Sequence, residues 1–94
     1  MATFEFYSDP SHGWLRVARS ELADLGLVAR DFSSYSYISF CGLHVYLEED
    51  CDAPKFFRIY EAKHGTTPTI VEKYSSRSSF IRNLARVQPW KVEA

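Results

Sequence analysis

The chain has 94 residues, with 46% hydrophobic and 16% aromatic content and a net charge of −1. This length predicts a single domain over residues 1–94, and the hydrophobic content is sufficient for one compact core. No apolar run approaches the ~20 residues that span a bilayer, the N-terminus lacks the pattern of a secretory signal, and two cysteines are too few for a disulfide scaffold. We therefore expect a cytoplasmic protein that does not contact a membrane.

The first part of the chain predicts two strands followed by a helix. Residues 3–7 alternate apolar and polar side chains, and residues 14–17 resume this alternation after a turn at 8–13. Over residues 18–27 the apolar spacing becomes that of a short helix, which Gly26 ends.

A hairpin and a longer helix are predicted next. Residues 34–40 and 43–48 alternate as strands on either side of Cys41–Gly42, which is predicted to be a two-residue connection. Residues 53–65 have helical spacing, with Pro54 in the first turn. The side chains predicted to lie in the core are Leu43, Val45, Leu47, Phe56 and Tyr60, whereas those predicted to face away from it are His44, Tyr46 and Glu48.

The last third of the chain predicts one more strand and one more helix. Residues 67–74 form the strand, and residues 75–86 begin with serines that suit a helix cap and continue at helical spacing. Residues 88–94 are expected to be a loose tail. The order β-β-α-β-β-α-β-α predicts a single α+β domain, in which a mainly antiparallel sheet carries two or three helices packed on one face.

Four carboxylates lie in the stretch YLEEDCDAP, residues 46–54, between a strand and a helix. Asp50 or Asp52 is predicted to be the N-cap of that helix, where a carboxylate accepts a bond from a free amide and contributes about 0.5–2 kcal/mol. The other acids would form an acidic surface. A catalytic pair of carboxylates needs different environments to separate its pKa values, and one exposed turn gives all of them the same environment. The stretch therefore predicts structural acids rather than an acid–base enzyme.

Metal and nucleophile chemistry are not predicted either. The cysteines and two of the histidines match no zinc motif in their spacing, namely Cys41, Cys51, His44 and His64. The two thiols are expected to be free and buried. His12 follows Ser11 directly, but a nucleophile and its base meet in space rather than in sequence. The sequence therefore predicts no metal, no cofactor and no enzymatic activity.

Charge is distributed unevenly along the chain. Residues 1–52 contain three Arg and nine Asp or Glu, a net charge of −6, and residues 53–94 contain eight Lys or Arg and three Glu, a net charge of +5. The two parts either form faces of opposite sign or neutralise each other. Arg82 and Arg86 are four apart on the predicted helix, where like charges repel, so we expect an anionic neighbour, either phosphate or the acids at 48–52. A pI near 6.3 argues against a dedicated DNA-binding protein.

Tyrosines and serines alternate over residues 34–37. Tyr35 and Tyr37 share one side of the predicted strand, and Tyr46 follows on the next strand. Tyr and Ser are typical of adaptable recognition surfaces, because Tyr offers a large contact area at low entropic cost. The alternative is a strand whose two faces are both covered, and the sequence leaves both possibilities open.

The motifs HGWLRV, LADLGL, SSYSYISF and VYLEEDCDAPKFF together resemble a family of small uncharacterised proteins of proteobacteria and of their phages or other mobile elements. The resemblance covers about residues 11–82, and its matching positions are His12, Gly13, Trp14, Leu15, Val17, Tyr35, Ser36, Tyr37, Tyr46 to Asp52, Ser78, Ser79, Ile81 and Arg82. The chain departs from the family at residues 40–42, where a more polar hairpin tip is expected. The resemblance implies an accessory protein of a mobile element, a class that includes inhibitors of host defence such as anti-CRISPR proteins.

We therefore expect a non-enzymatic protein-binding module that acts by occlusion on a host protein or nucleoprotein complex, such as a CRISPR-Cas complex, in the bacterial cytoplasm. The alternative is a nucleic-acid-binding module that uses the basic residues of segment 73–91. The residues predicted to bind are Tyr35, Tyr37, Tyr46, Glu48, Glu49, Asp50, Arg77, Arg82 and Arg86.

Overall fold

The computed structural model describes residues 3–28 and 31–86, so the predicted tail at 88–94 lies outside the described residues. The strands are β1 (Thr3–Ser8), β2 (Gly13–Ala18), β3 (Tyr37–Ile38), β4 (His44–Glu48), β5 (Thr69–Tyr74) and β6 (Ala85–Arg86). The helices are α1 (Arg19–Asp24) and α2 (Asp52–His64), and a 3₁₀ turn covers Phe80–Asn83.

The six strands form one sheet in the order β5-β1-β2-β4-β3-β6. Neighbouring strands are antiparallel except β1 and β5, which are parallel. The parallel pair is possible because α2 carries the chain from β4 across the sheet, as a crossover connection requires. The predicted α+β fold with a mainly antiparallel sheet is confirmed.

Both helices cover the same face of the sheet, and this face holds the larger core. Its buried residues are Phe4, Leu15, Val17, Leu22, Phe32, Val45, Leu47, Ala53, Phe56 and Tyr60. Leu22 comes from α1, and Phe56 and Tyr60 come from α2. Phe4 packs edge-on against Phe56 with 5.4 Å between the ring centroids. Because full burial of one large apolar side chain stabilises a fold by about 1.5–3 kcal/mol, this cluster is the main source of stability.

The opposite face of the sheet is covered as well, by the 3₁₀ turn. Trp14, Tyr37, Tyr46 and Ile81 form a second buried cluster, and Phe80 packs edge-on against Tyr46 with centroids 5.8 Å apart. Of the two possibilities that the sequence left open for the tyrosines, coverage of both faces is therefore found at Tyr37 and Tyr46.

The helix predicted over residues 75–86 is wrong, because this segment forms only the 3₁₀ turn and then β6. Ser79 Oγ accepts from the Ile81 amide at 3.2 Å, which is the cap expected of a serine. The Ser79 amide itself donates to Asp9 Oδ2 at 2.9 Å, and Ile81 is fully buried against the sheet. These long-range contacts outweigh the helical propensity of the segment.

The predicted two-residue connection at Cys41–Gly42 is also wrong. The Ser39 amide donates to the His44 carbonyl at 3.0 Å, so residues 40–43 form the loop. Leu43 therefore lies outside the strand and is 64% exposed, and its prediction as a core residue is wrong. The remaining predicted core residues are buried as expected, namely Val45, Leu47, Phe56 and Tyr60.

Candidate functional site

A cavity of about 280 Å³ opens on the face of the sheet that carries the 3₁₀ turn. It is lined by His12, Trp14, Tyr35, Tyr37, Glu48, Asp50, Cys51, Arg82 and Arg86. The sheet register brings these residues together: Trp14 of β2 is paired with Glu48 of β4, and Tyr37 of β3 is paired with Arg86 of β6. We call it the aromatic cavity, after its floor.

The floor of the aromatic cavity consists of Trp14 and Tyr37, which are 2% and 7% exposed. Their rings meet edge-on with centroids 6.1 Å apart. The guanidinium carbon of Arg82 lies 5.3 Å from the Trp14 ring centroid, and that of Arg86 lies 5.0 Å from the Tyr37 ring centroid. Such cation–π contacts hold the two arginine heads over the floor.

Arg82 is also held by a buried carboxylate. Its Nε donates to Asp9 Oδ2 at 2.8 Å and its Nη2 donates to Asp9 Oδ1 at 3.0 Å. Asp9 also accepts from the amides of Ser11, His12 and Ser79 at 2.9–3.0 Å. The Arg82 hydrogen bond and these amides hold the pKa of Asp9 far below its usual range. Asp9, which the sequence reasoning did not single out, is thus the anionic neighbour of Arg82.

Arg86 has a different environment. Its Nη1 donates to the Ser34 carbonyl at 2.8 Å, and its head lies over the Tyr37 ring. Among residues 3–28 and 31–86, no ion pair joins Arg82 or Arg86 to the acids at 48–52. The acidic and basic segments therefore meet at the cavity without pairing directly.

Two of the four acids are structural, but the predicted N-cap is wrong. The N-cap of α2 is Cys51, whose side chain makes no cap bond. Glu48 instead accepts from the amides of Asp50 and Cys51 at 3.0 and 2.9 Å. These two residues precede α2, so the Glu48 carboxylate stabilises the turn that leads into the helix. Asp52 is the first residue of α2, and its Oδ2 accepts from the Ser33 amide at 2.9 Å and from the hydroxyls of Ser33 and Ser36.

The other two acids face different surroundings. Asp50 is exposed at the rim of the aromatic cavity. Glu49 is exposed too, but its Oε1 lies close to Gly13. A Cβ atom added at position 13 would be 3.2 Å from this oxygen. Since Gly13 alternates with Trp14 along β2, Glu49 lies on the side of the sheet that carries the helices.

The residues predicted to bind are distributed as follows. The aromatic cavity brings together Tyr35, Tyr37, Glu48, Asp50, Arg82 and Arg86. Outside it are Tyr46, which is buried in the second cluster, Glu49, and the exposed Arg77, whose amide donates to Ser75 Oγ. The cavity also contains His12, Trp14 and Cys51, which the sequence reasoning did not combine into a site. His12 and Trp14 both belong to the HGW motif, which is the sequence signal that could have pointed to them.

Cys41 and Cys51 are both free, as expected, but both are exposed, so the prediction that the thiols are buried is wrong. A hydrogen bond with Ser39 lowers the pKa of Cys41. Desolvation and the neighbouring acid Glu48 raise the pKa of Cys51. Within the described residues, no cluster of three or more His, Cys, Asp or Glu side chains is arranged to hold a metal ion.

The helices in the described part of the chain are too short or too polar to cross a membrane. The chain matches no family model, curated protein or solved structure with which it was compared.

Proposed function

We propose that this protein is a non-enzymatic binding module that recognises another protein through the aromatic cavity and its rim. The observation that carries the proposal is the convergence of a buried Trp–Tyr floor, two arginines held over it and an exposed tyrosine on one cavity. Trp, Tyr and Arg are the residues most enriched among binding hot spots, which cluster in pockets surrounded by water-excluding contacts.

Tyr35 is the side chain best placed to reach a partner. It lines the cavity and is 60% exposed, so its ring can bury a large area on binding and has only two side-chain torsions to restrict. Trp14 and Tyr37 are already packed and would present a rigid floor beneath it. A partner side chain that enters the cavity would meet prearranged groups, which reduces the entropic cost of association.

The charges around the cavity favour a protein partner over nucleic acid. The charge of Arg82 is compensated by Asp9, and the acids Glu48 and Asp50 line the same cavity as Arg86. A phosphate backbone would therefore approach carboxylates as well as arginines, whereas a protein surface can present both signs. Mixed charges of this kind contribute to specificity and to the rate of association.

The class of partner is supported by the motif resemblance alone. That resemblance implies a mobile-element product in a bacterial cytoplasm, so the partner in this proposal is a host protein or nucleoprotein complex of a defence system. Occupation of a functional surface on that complex would inhibit it without any turnover.

Affinity capture from bacterial lysate tests the proposal with a matched pair of variants. Tyr35→Ala removes the exposed tyrosine at the cavity, and Tyr74→Ala removes a tyrosine of similar exposure, 67%, on the opposite edge of the sheet. We expect Tyr35→Ala to lose the partner and Tyr74→Ala to retain it. Equal retention by both variants would refute the cavity as the binding site.

Tyr37→Ala is not a clean probe, because that ring is buried in the second cluster and its loss would disturb the fold. Asp50→Lys is suitable, since this carboxylate is exposed at the rim. We expect it to weaken capture through an altered charge pattern, with thermal unfolding showing that the fold is kept.

A gel shift at two salt concentrations tests the alternative of nucleic-acid binding. If the basic residues of segment 73–91 bind phosphates, affinity falls by about one log unit per log unit of salt for each contact. Replacement of the exposed Arg77 should then reduce this dependence. The proposal predicts no retarded oligonucleotide at either salt concentration.

A further inference from the structure

The sheet has an exposed edge that the aromatic cavity does not use. In the described part of the chain β5 is the terminal strand beyond β1, and all six of its residues are exposed. Ile70, Val71 and Tyr74 are apolar side chains on this edge, with exposures of 36%, 41% and 67%. Glu72 and Lys73 are the charged residues of β5, and the strand contains neither proline nor a bulge, so the outer backbone groups of this edge remain open to pairing with another strand.

The hydrogen bonds of β5 determine which of its backbone groups point outward. The Ser75 amide donates to the Ser8 carbonyl of β1 at 2.8 Å. Because successive residues of a strand direct their backbone groups to opposite sides, Lys73 and Val71 also face β1. The backbone groups of Ile70, Glu72 and Tyr74 consequently point away from the sheet, where another strand could pair with them.

The side chains of β5 distinguish between the possible self-pairing registers. In an antiparallel pair related by a two-fold axis, one residue lies opposite its own copy. An axis at Glu72 or at Lys73 would place two like charges directly opposite each other, which is destabilising. An axis at Thr69, Ile70 or Tyr74 pairs at most three residues of β5 with the second copy, whereas an axis at Val71 pairs five. The Val71 axis places Val71 against itself, Ile70 against Glu72 of the second copy, and Lys73 against Thr69 of the second copy.

We propose that the edge strand β5 pairs with β5 of a second copy of this chain, antiparallel and centred on Val71, so that the six-stranded sheet is doubled. In this register Ile70 and Glu72 of the second copy exchange backbone hydrogen bonds, and Tyr74 lies opposite Pro68 of the second copy. The outward amides of Ile70, Glu72 and Tyr74 all face acceptors. The net charge of −1 gives little repulsion between copies, and charge near zero favours association.

The dimer leaves the aromatic cavity accessible. The cavity is built on β2, β3, β4 and β6, whereas β5 forms the other end of the sheet. Each copy would therefore present its own cavity, and loss of the dimer would leave the cavity intact. The two proposals can fail separately.

Sedimentation velocity over a concentration series measures the association. We expect the wild type to sediment with twice the mass of the monomer at high concentration. Glu72→Pro removes an outward amide that makes no bond to β1, a position where edge strands tolerate proline. Val71→Lys places two ammonium groups opposite each other at the axis. Both variants should stay monomeric, with circular dichroism showing an unchanged fold. A wild type that stays monomeric at every concentration would overturn the proposal.

Cross-linking tests the register itself. In a background of Cys41→Ser and Cys51→Ser, Val71→Cys places two thiols on a pair that exchanges no hydrogen bonds, where the Cα atoms lie about 4.5 Å apart, within the range of a disulfide. Lys73→Cys is the matched control on the same side of the strand. Mild oxidation should link the Val71→Cys variant and leave the Lys73→Cys variant free. Linkage of Lys73→Cys instead would overturn the proposed register, and with it the pairing.

Discussion

Replacement of Asp9 should be among the most damaging polar substitutions in this chain. Its side chain is 1% exposed and is bonded to Arg82, with three backbone amides as further donors. Asp9→Asn removes the charge and places an NH₂ group against one of these donors. Loss of one member of a fully buried pair costs about 3–5 kcal/mol. Because Arg82 is 33% exposed and regains water, we expect a smaller loss, about 2–3 kcal/mol, for Asp9→Asn.

The assay is reversible unfolding of the wild type and Asp9→Asn by urea and by heat. At about 4–8 °C per kcal/mol for a domain of this size, the expected loss lowers the melting temperature by roughly 10–20 °C. Asp50→Asn is the control, since it replaces an exposed carboxylate in the same cavity region and should change the unfolding free energy by less than about 0.5 kcal/mol.

The pH dependence gives an independent check on this prediction. The pKa of Asp9 in the folded state is lowered from its ordinary value of 3.8, so its stabilisation is complete above that value and is lost as the pH falls toward the folded-state pKa. The difference between wild type and Asp9→Asn should be constant from about pH 5 to 7 and should shrink below about pH 4. A difference below about 1 kcal/mol at neutral pH, or one that does not shrink in acid, would refute the role of Asp9.

Three further predictions concern the buried Asp52, the hairpin loop and the two cysteines. Asp52→Ala leaves three donors without an acceptor and should lower the unfolding free energy by roughly 2–3 kcal/mol. Asp50→Ala should have almost no effect, and equal losses for the two variants in urea denaturation would contradict this prediction. Leu43→Ser should change the unfolding free energy by less than about 0.5 kcal/mol, whereas Leu47→Ala should lower it by about 2–5 kcal/mol. A comparable loss for Leu43→Ser would contradict the exposure of Leu43 in the hairpin loop. Iodoacetamide should modify Cys41 faster than Cys51 near neutral pH, because the pKa of Cys41 is lowered and that of Cys51 is raised; mass spectrometry that finds equal rates would contradict these environments.

Much of the fold could be predicted because its elements are periodic. The alternation in β1, β2 and β4 separates the side chains of the two faces of the sheet, and the helical spacing of α2 reflects burial of one face. These patterns predict Val45, Leu47 and Phe56 as core residues, and all three are buried. The exposure of Leu43 does not follow from the alternation, because the face to which its side chain points depends on the length of the hairpin loop, and Cys41–Gly42 is compatible with more than one loop length. The sequence does not predict the conformation of segment 75–86, because Asp9 holds this segment through the Ser79 amide and Arg82 and is far away in sequence.

The candidate site was predictable in composition but not in geometry. Tyr35, Asp50 and Arg86 each belong to a segment whose composition suggested binding. Their meeting at one cavity depends on the pairing of β3 with β6, strands of two residues each, which are too short to give a periodic signal. The bond between Asp9 and Arg82 joins residues 73 positions apart, and charge spacing alone cannot reveal such a pair.

The most direct test of the central claim is photo-cross-linking inside bacterial cells. A photoreactive phenylalanine analogue at position 35 would sample the aromatic cavity, and the same residue at position 74 would sample the exposed edge of β5 as a matched control. Our account predicts that position 35 forms a covalent adduct with another protein and that position 74 does not form the same adduct. The absence of a protein adduct at position 35, or its equal formation at position 74, would contradict the assignment of this cavity as a protein-binding site.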